Sequence, residues 1–126
     1  MKVIIAGSRS IIQKYWITKA VRLFLNEQQK TKEDISEVVS GNANGVDKLG
    51  EDWANAFNKP IKIFKPDWNK FGKTAGILRN IEMGDYADAL IAIWDGKSKG
   101  TKHMISYMEL LQKPVFVLQF LGKEDV

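Results

Sequence analysis

The chain has 126 residues, 44% hydrophobic and 27% charged, with a formal net charge of +4: the balance of a soluble globular domain with enough apolar material for a real core. It contains no cysteine, which excludes disulfides and thiolate metal sites, and no apolar run reaches transmembrane length. A single domain over residues 1–126 is expected, in the cytoplasm and with no membrane partner, because Met1 to Ala6 runs straight into a strand pattern without signal-peptide form.

The first predicted strand is Val3 to Ala6, VIIA, and Gly7-Ser8-Arg9-Ser10 follows at once. A buried strand ending in glycine and serine before a helix is a βα turn, the place where open α/β sheets bind ligands. Ser8 and Ser10 are candidate helix caps, and Arg9 offers a fork of donors suited to phosphate or carboxylate. The spacing of Ile12, Trp16, Ile17, Ala20, Leu23 and Phe24 predicts a helix from about Ile12 to Gln29. A polar loop, Lys30 to Ser36, leads to a second strand, Glu37 to Ser40.

The next stretch, SGNANGVDKLGEDWA from Ser40 to Ala54, organises the chain. Gly41 and Gly45 permit positive φ or a close approach to the backbone. Val46, Leu49, Trp53 and Phe57 then recur at helical spacing. A turn of this kind, followed by a helix N-terminus, offers unpaired N–H groups and partial positive charge to an anion. Asp47 sits in the first helical turn, placed to cap those donors or to hold a ligand hydroxyl. Valine at Gly45 is the substitution expected to block such a site.

The helix ends near Asn58, and Ile61 to Phe64 is the third strand. Pro66 to Gly72 is predicted as a loop whose Trp68 and Phe71 either wall a pocket or pin the loop to the body. Lys73 to Asp85 is a helix with Ile77, Leu78 and Ile81 on its core face and Arg79 and Asn80 off it. Gly72-Lys73-Thr74 imitates the end of a P-loop, but Asp67 stands where the pattern needs its first glycine. Asp88 to Trp94 is the strongest strand, apolar on consecutive positions as in a sheet covered on both faces. Asp95 to Thr101 is a further glycine-bearing turn, with Thr101 as the expected N-cap. Met104, Tyr107, Met108 and Leu111 mark the last helix, Val115 to Leu118 the last strand, and about 119–126 a frayed tail.

Alternation of strand and helix predicts an α/β fold: a Rossmann-like three-layer αβα sandwich with about five mostly parallel strands and four helices. It also brings the turns after strands one, two and four to one carboxyl edge. Three ligand-competent turns on one edge favour a pocket for a phosphorylated or nucleotide-like molecule over a bare scaffold.

IIAGSRS, SGNANGVDKLGEDWA, DWNKFGKTAGILRN and DALIAIWDGKSKGT together resemble the small single-domain branch of the SLOG superfamily, proteins of the YpsA and YspA kind. That superfamily also includes LOG-type phosphoribohydrolases and DNA-processing protein A. The resemblance implies a nucleotide or nucleotide derivative bound at the carboxyl edge. It implies a first ligand loop of Gly7, Ser8 and Arg9, and a second of Ser40, Gly41, Gly45 and Asp47. Arg79 and Asn80 match the pocket-facing arginine motif, and Asp95, Gly96, Ser98, Gly100 and Thr101 the last, phosphate-binding loop. LOG-type hydrolases carry a glutamate shortly after the glycine-threonine pair, whereas Lys102, His103, Met104 and Ile105 follow Thr101 here and the next acid is Glu109.

Binding or sensing of a nucleotide-like small molecule is therefore the expected function. N-glycosidic hydrolysis of a nucleoside monophosphate is the alternative, with Arg79, Asp47 and Asp95 as candidate catalytic residues. Single-strand nucleic-acid binding is suggested by the pI of about 9.3, but the lysines are scattered, with no basic run. His103, the single histidine, is a candidate base or an exposed capping-region residue. One histidine and dispersed acids give no metal-ligand spacing, and no cofactor is expected. Exposed aromatics such as Trp68 or Tyr86 make a homo-oligomer an open expectation.

Overall fold

The computed structural model describes residues 1–120. In chain order they form β1 (Lys2–Gly7), α1 (Lys14–Glu27), β2 (Glu37–Ser40), α2 (Val46–Ala56), β3 (Ile61–Ile63), α3 (Trp68–Phe71), α4 (Ala75–Tyr86), β4 (Ala89–Trp94), α5 (Lys99–Leu110) and β5 (Val115–Gln119). The five strands make one fully parallel sheet in the order β3-β2-β1-β4-β5. Four helices of three or more turns cover it, together with the single turn of α3.

The two-residue period of a strand separates the layers. Val3 and Ile5 of β1, with Val38, Ala89, Ile91 and Ile93, face the layer of α1 and α2. Ile4 and Ala6, with Val39, Leu90 and Ala92, face the layer of α4 and α5. Both faces are therefore apolar, which is why β1 and β4 read as unbroken hydrophobic runs. The helices supply matching stripes. Ile17, Ala20, Val21, Phe24 and Leu25 are the buried positions of α1, and Val46, Leu49, Gly50, Trp53 and Ala54 lie buried on α2. Among the described residues, no helix is long and apolar enough to cross a membrane.

Several local expectations are corrected. Helix α1 begins at Lys14; Ile12 stands 69% exposed in the preceding segment while Ile11 is buried in its place. Neither Ser8 nor Ser10 caps this helix: its N-cap is Gln13, without a side-chain bond. The stretch from Pro66 is not all loop, because α3 forms over Trp68–Phe71 with Asp67 capping the Lys70 N–H, and a 3-10 turn follows over Gly72–Thr74. The inward face of α4 is Ala75, Asn80, Met83 and Gly84, and Ile77 points outward. Ser98, not Thr101, caps α5, since its Oγ accepts from the Thr101 N–H at 3.4 Å. Gln119 closes β5, and Phe120 packs edge-on against Trp16 with ring centroids 5.1 Å apart, so the tail does not begin at 119. The rest of the expected tail lies outside the described residues.

Candidate functional site

In this strand order the chain steps outward from β1 to β2 and β3, then returns to β4 on the other side of β1. The connection leaving β1 enters α1 on one face of the sheet, and the connection leaving β4 enters α5 on the opposite face. The two diverge, so a crevice opens at the carboxyl ends of β1 and β4, the topological switch point of an open α/β sheet.

A cavity of about 180 Å³ occupies that crevice. Gly7 and Arg9 line it from the first loop, Asp47 from α2, Arg79 and Asn80 from α4, and Ser98, Gly100 and Thr101 from the last loop. Ala43, Met83 and Met104 are wall residues that motif reasoning passed over; Met104 was hidden because helical spacing marks it only as core, and Met83 because it falls outside the face that periodicity assigns to α4. Gly41 lines an adjoining outer concavity of about 390 Å³ with Arg9, Arg79, Lys65 and Trp68. Five more of the expected residues line neither the deep cavity nor this outer one: Ser8, Ser40, Gly45, Asp95 and Gly96.

Those five shape the loops. The carbonyl of Ser8 accepts from the Ile11 and Val46 N–H groups, and its Oγ accepts from the Asp95 N–H at 2.9 Å. Ser8 thereby ties together the ends of β1 and β4 and the start of α2. Ser40 Oγ donates to Glu51 Oε2 at 2.7 Å and accepts from the Asn42 N–H at 3.0 Å. Asp95 accepts from the Lys97 and Ser98 N–H groups at 2.8 and 2.9 Å, and these bonds hold its carboxyl below the usual carboxylate range. Gly96 adopts φ 81°, which turns the chain toward α5.

Part of the donor set expected at the central turn is engaged by the protein itself. The Val46 N–H is taken by Ser8, and the Ala43 N–H donates to Asp47 Oδ2 at 3.2 Å. At the start of α5 the position differs. The N–H groups of Lys99 and Gly100 donate to none of the described residues, and Gly100 lines the cavity. Helix α5 therefore presents unpaired donors and its positive dipole end to the crevice.

Arg79 is the centre of the polar network. Its Nη1 donates to the Gly41 carbonyl at 2.7 Å and its Nε to Asn80 Oδ1 at 3.0 Å. Asn80, only 5% exposed, donates in turn to the Gly100 carbonyl at 3.1 Å and lies 3.2 Å from His103 Nδ1. One arginine thus links the second loop to the last across the sheet edge. Burial lowers its pKa and Arg9 lowers it further, against the pull of Asp47.

Burial pushes the Asp47 carboxyl up to about 6, opposed by the Ala43 N–H, the Arg79 guanidinium and the Gly7 N–H. The unfolded carboxyl titrates near 3.8, so the native state binds the proton more tightly. The resulting penalty is complete above about pH 6 and relieved as the pH falls toward 3.8. Between about pH 7 and about pH 5 the gain is about 1 kcal/mol, roughly 4 °C in melting temperature. Asp47→Asn cannot titrate. Its melting temperature relative to wild type is expected to be highest near pH 7 and to drop by about 4 °C near pH 5; a constant difference across that range would show that Asp47 does not titrate there.

A family model described as the YspA, cpYpsA-related SLOG family, YAcAr, matches residues 1–71, more than half of the chain and the part that runs from β1 through α3. The sequence is also similar to the Gene 61 protein of Mycobacterium phage D29, with 38% identity over 84 residues that span 62% of this chain and 67% of that protein.

Proposed function

We propose, because this chain belongs to the YspA, cpYpsA-related SLOG family, that the crevice binds a nucleotide or nucleotide-derived ligand through its phosphate. The observation that carries this reading is the convergence of Arg9, Arg79 and the unpaired N–H groups at the start of α5 on one cavity at the switch point. Those groups form an electropositive, donor-rich surface matched to a phosphate dianion. Asp47, on the same wall, is placed to accept from a ribose hydroxyl. Trp68 stands 51% exposed at the mouth, with Cη2 close against Gly76, and offers an aromatic face to a base.

A second reading is favoured by Asp47 alone. N-glycosidic cleavage needs a carboxyl that keeps or accepts a proton near neutral pH, and Asp47 is a cavity-lining carboxyl of that kind. Asp95 does not fit the role, because its carboxylate is occupied by the loop's own N–H groups.

Both readings meet in one experiment. The protein is melted against a panel of nucleoside monophosphates, diphosphates, cyclic nucleotides and nucleotide sugars, and each mixture is assayed for free base. A ligand at about one hundred times its dissociation constant is expected to add about 2.7 kcal/mol, a shift of many degrees for a chain of this size. No shift with any member at millimolar concentration overturns the nucleotide reading. A shift with no base released leaves binding without hydrolysis.

A further inference from the structure

Beside the deep cavity, and distinct from the concavity at Gly41, another outer concavity of about 260 Å³ opens between α4 and the start of α5. Arg9, Arg79, Asn80 and Gly100 line both it and the deep cavity and join them. The walls that this concavity does not share with the deep cavity include Lys73, just before α4, and Lys99 and His103 in the first turns of α5, together with Trp68 and Ile77. In the deep cavity Asp47 balances part of the arginine charge, whereas no carboxylate lines the outer concavity. Among the described residues, the ion pair formed is Lys48 with Glu51 on α2, so Lys73, Lys99 and Arg9 face the concavity without an acidic partner. Four positive charges around one small space repel one another unless an anion enters.

The hydrogen-bond network adds a donor. Asn80 Oδ1 accepts from Arg79 Nε, which leaves Nδ2 as the group that donates to the Gly100 carbonyl and faces His103 Nδ1. The histidine Nδ1 is therefore the acceptor, and the neutral ring carries its proton on Nε2. The same asparagine that organises the deep cavity fixes a donor for the outer one.

We propose that the outer concavity is a second anion subsite, formed by Lys73, Lys99 and His103, and that the ligand of the crevice is a nucleotide carrying two separate phosphate groups. The inference rests on the nucleotide reading of the deep cavity and narrows it to a nucleoside bisphosphate class. The first phosphate lies in the deep cavity at the start of α5, the second lies among the lysines, and Trp68 covers the nucleoside between them.

Calorimetric titration at low salt tests it with the 5′-monophosphates of the four common nucleosides and the matching 3′,5′-bisphosphates. In wild type the bisphosphate of the preferred base is expected to bind at least tenfold tighter than its monophosphate. In Lys73→Ala/Lys99→Ala that ratio falls to about one. Both side chains are exposed, so the double variant is expected to melt with wild type. Lys62→Ala/Lys102→Ala removes two exposed charges away from the concavity and keeps the ratio. A ratio near one in wild type, or a ratio unchanged by removal of Lys73 and Lys99, overturns the second subsite and leaves the first standing. Binding of neither nucleotide overturns the second subsite, while the nucleotide reading stands or falls on the wider melting panel.

Discussion

Gly45→Val is expected to destabilise the fold by about 4 kcal/mol or more, a large part of the roughly 5–15 kcal/mol that holds a domain of this size together. Gly45 is the N-cap of α2 and adopts φ 77° and ψ −129°, a region closed to side-chain-bearing residues and most closed to a β-branched one. Space is also missing. A Cβ there would lie 2.5 Å from the carbonyl oxygens of both Ser8 and Arg9, and these belong to backbone that cannot move aside, because the Ser8 carbonyl already accepts from Ile11 and Val46. Backbone strain and a backbone clash therefore add at one position. In urea, followed by circular dichroism, the midpoint is expected to fall by about 2 M. A midpoint within about 0.5 M of wild type would mean that the turn can rearrange.

Valine at Gly45 looks from the sequence like a block on a ligand site, but in the structure it attacks the fold. Gly41→Ala acts on the crevice itself. Its added methyl would meet Arg79 Nη1 at 2.5 Å and Asp47 Oδ2 at 2.9 Å, the ends of side chains that can swing away. The cost falls on the position of Arg79 rather than on the backbone.

The layout of the fold was legible because it is written in local patterns. Two-residue and helical periods, with glycine-bearing turns between them, are enough to place five strands along the chain and to bring three loops to one edge of a parallel sheet. What escaped was decided by contacts distant in sequence. Asn80 is polar, so periodicity assigned the core face of α4 to Ile77, Leu78 and Ile81. In the structure Asn80 turns inward because the Gly100 carbonyl, Arg79 Nε and His103 Nδ1 satisfy its amide. Similarly, nothing near Val46 announces that its N–H is taken by the carbonyl of Ser8, in the loop that follows β1. Ile11 and Ile12 are adjacent and chemically equivalent, and only the path of the chain into α1 decides which is buried. The concavity lined by Lys73 and Lys99 was invisible for a like reason: Lys99 reads as a scattered surface charge and Lys73 as part of an incomplete P-loop until α4 and α5 stand side by side.

Arg79→Ala is expected to weaken the nucleotide selected by the melting panel about a hundredfold, roughly 3 kcal/mol. The guanidinium is half-buried, anchored to Gly41 and Asn80, and lines the deep cavity and both outer concavities. Its loss removes a charge-assisted donor held in place before the ligand arrives, and frees the second loop from α4. Arg79→Lys separates these effects. An ammonium restores the charge but cannot reproduce the planar fork that reaches the Gly41 carbonyl and Asn80 together, so a loss of about tenfold is expected. A lysine variant equal to wild type would reduce Arg79 to a point charge, and an alanine variant within threefold of wild type would remove it from the site. The ligand-free protein gives an independent check. Without Arg79 the Asp47 carboxyl loses its attracting charge and rises further above 3.8, so its penalty grows at neutral pH and is still relieved at low pH. The melting deficit of Arg79→Ala is therefore expected to be larger near pH 7 than near pH 5. A deficit that is the same at both pH values, or that grows on acidification, would show that Arg79 does not hold down the Asp47 carboxyl across the crevice.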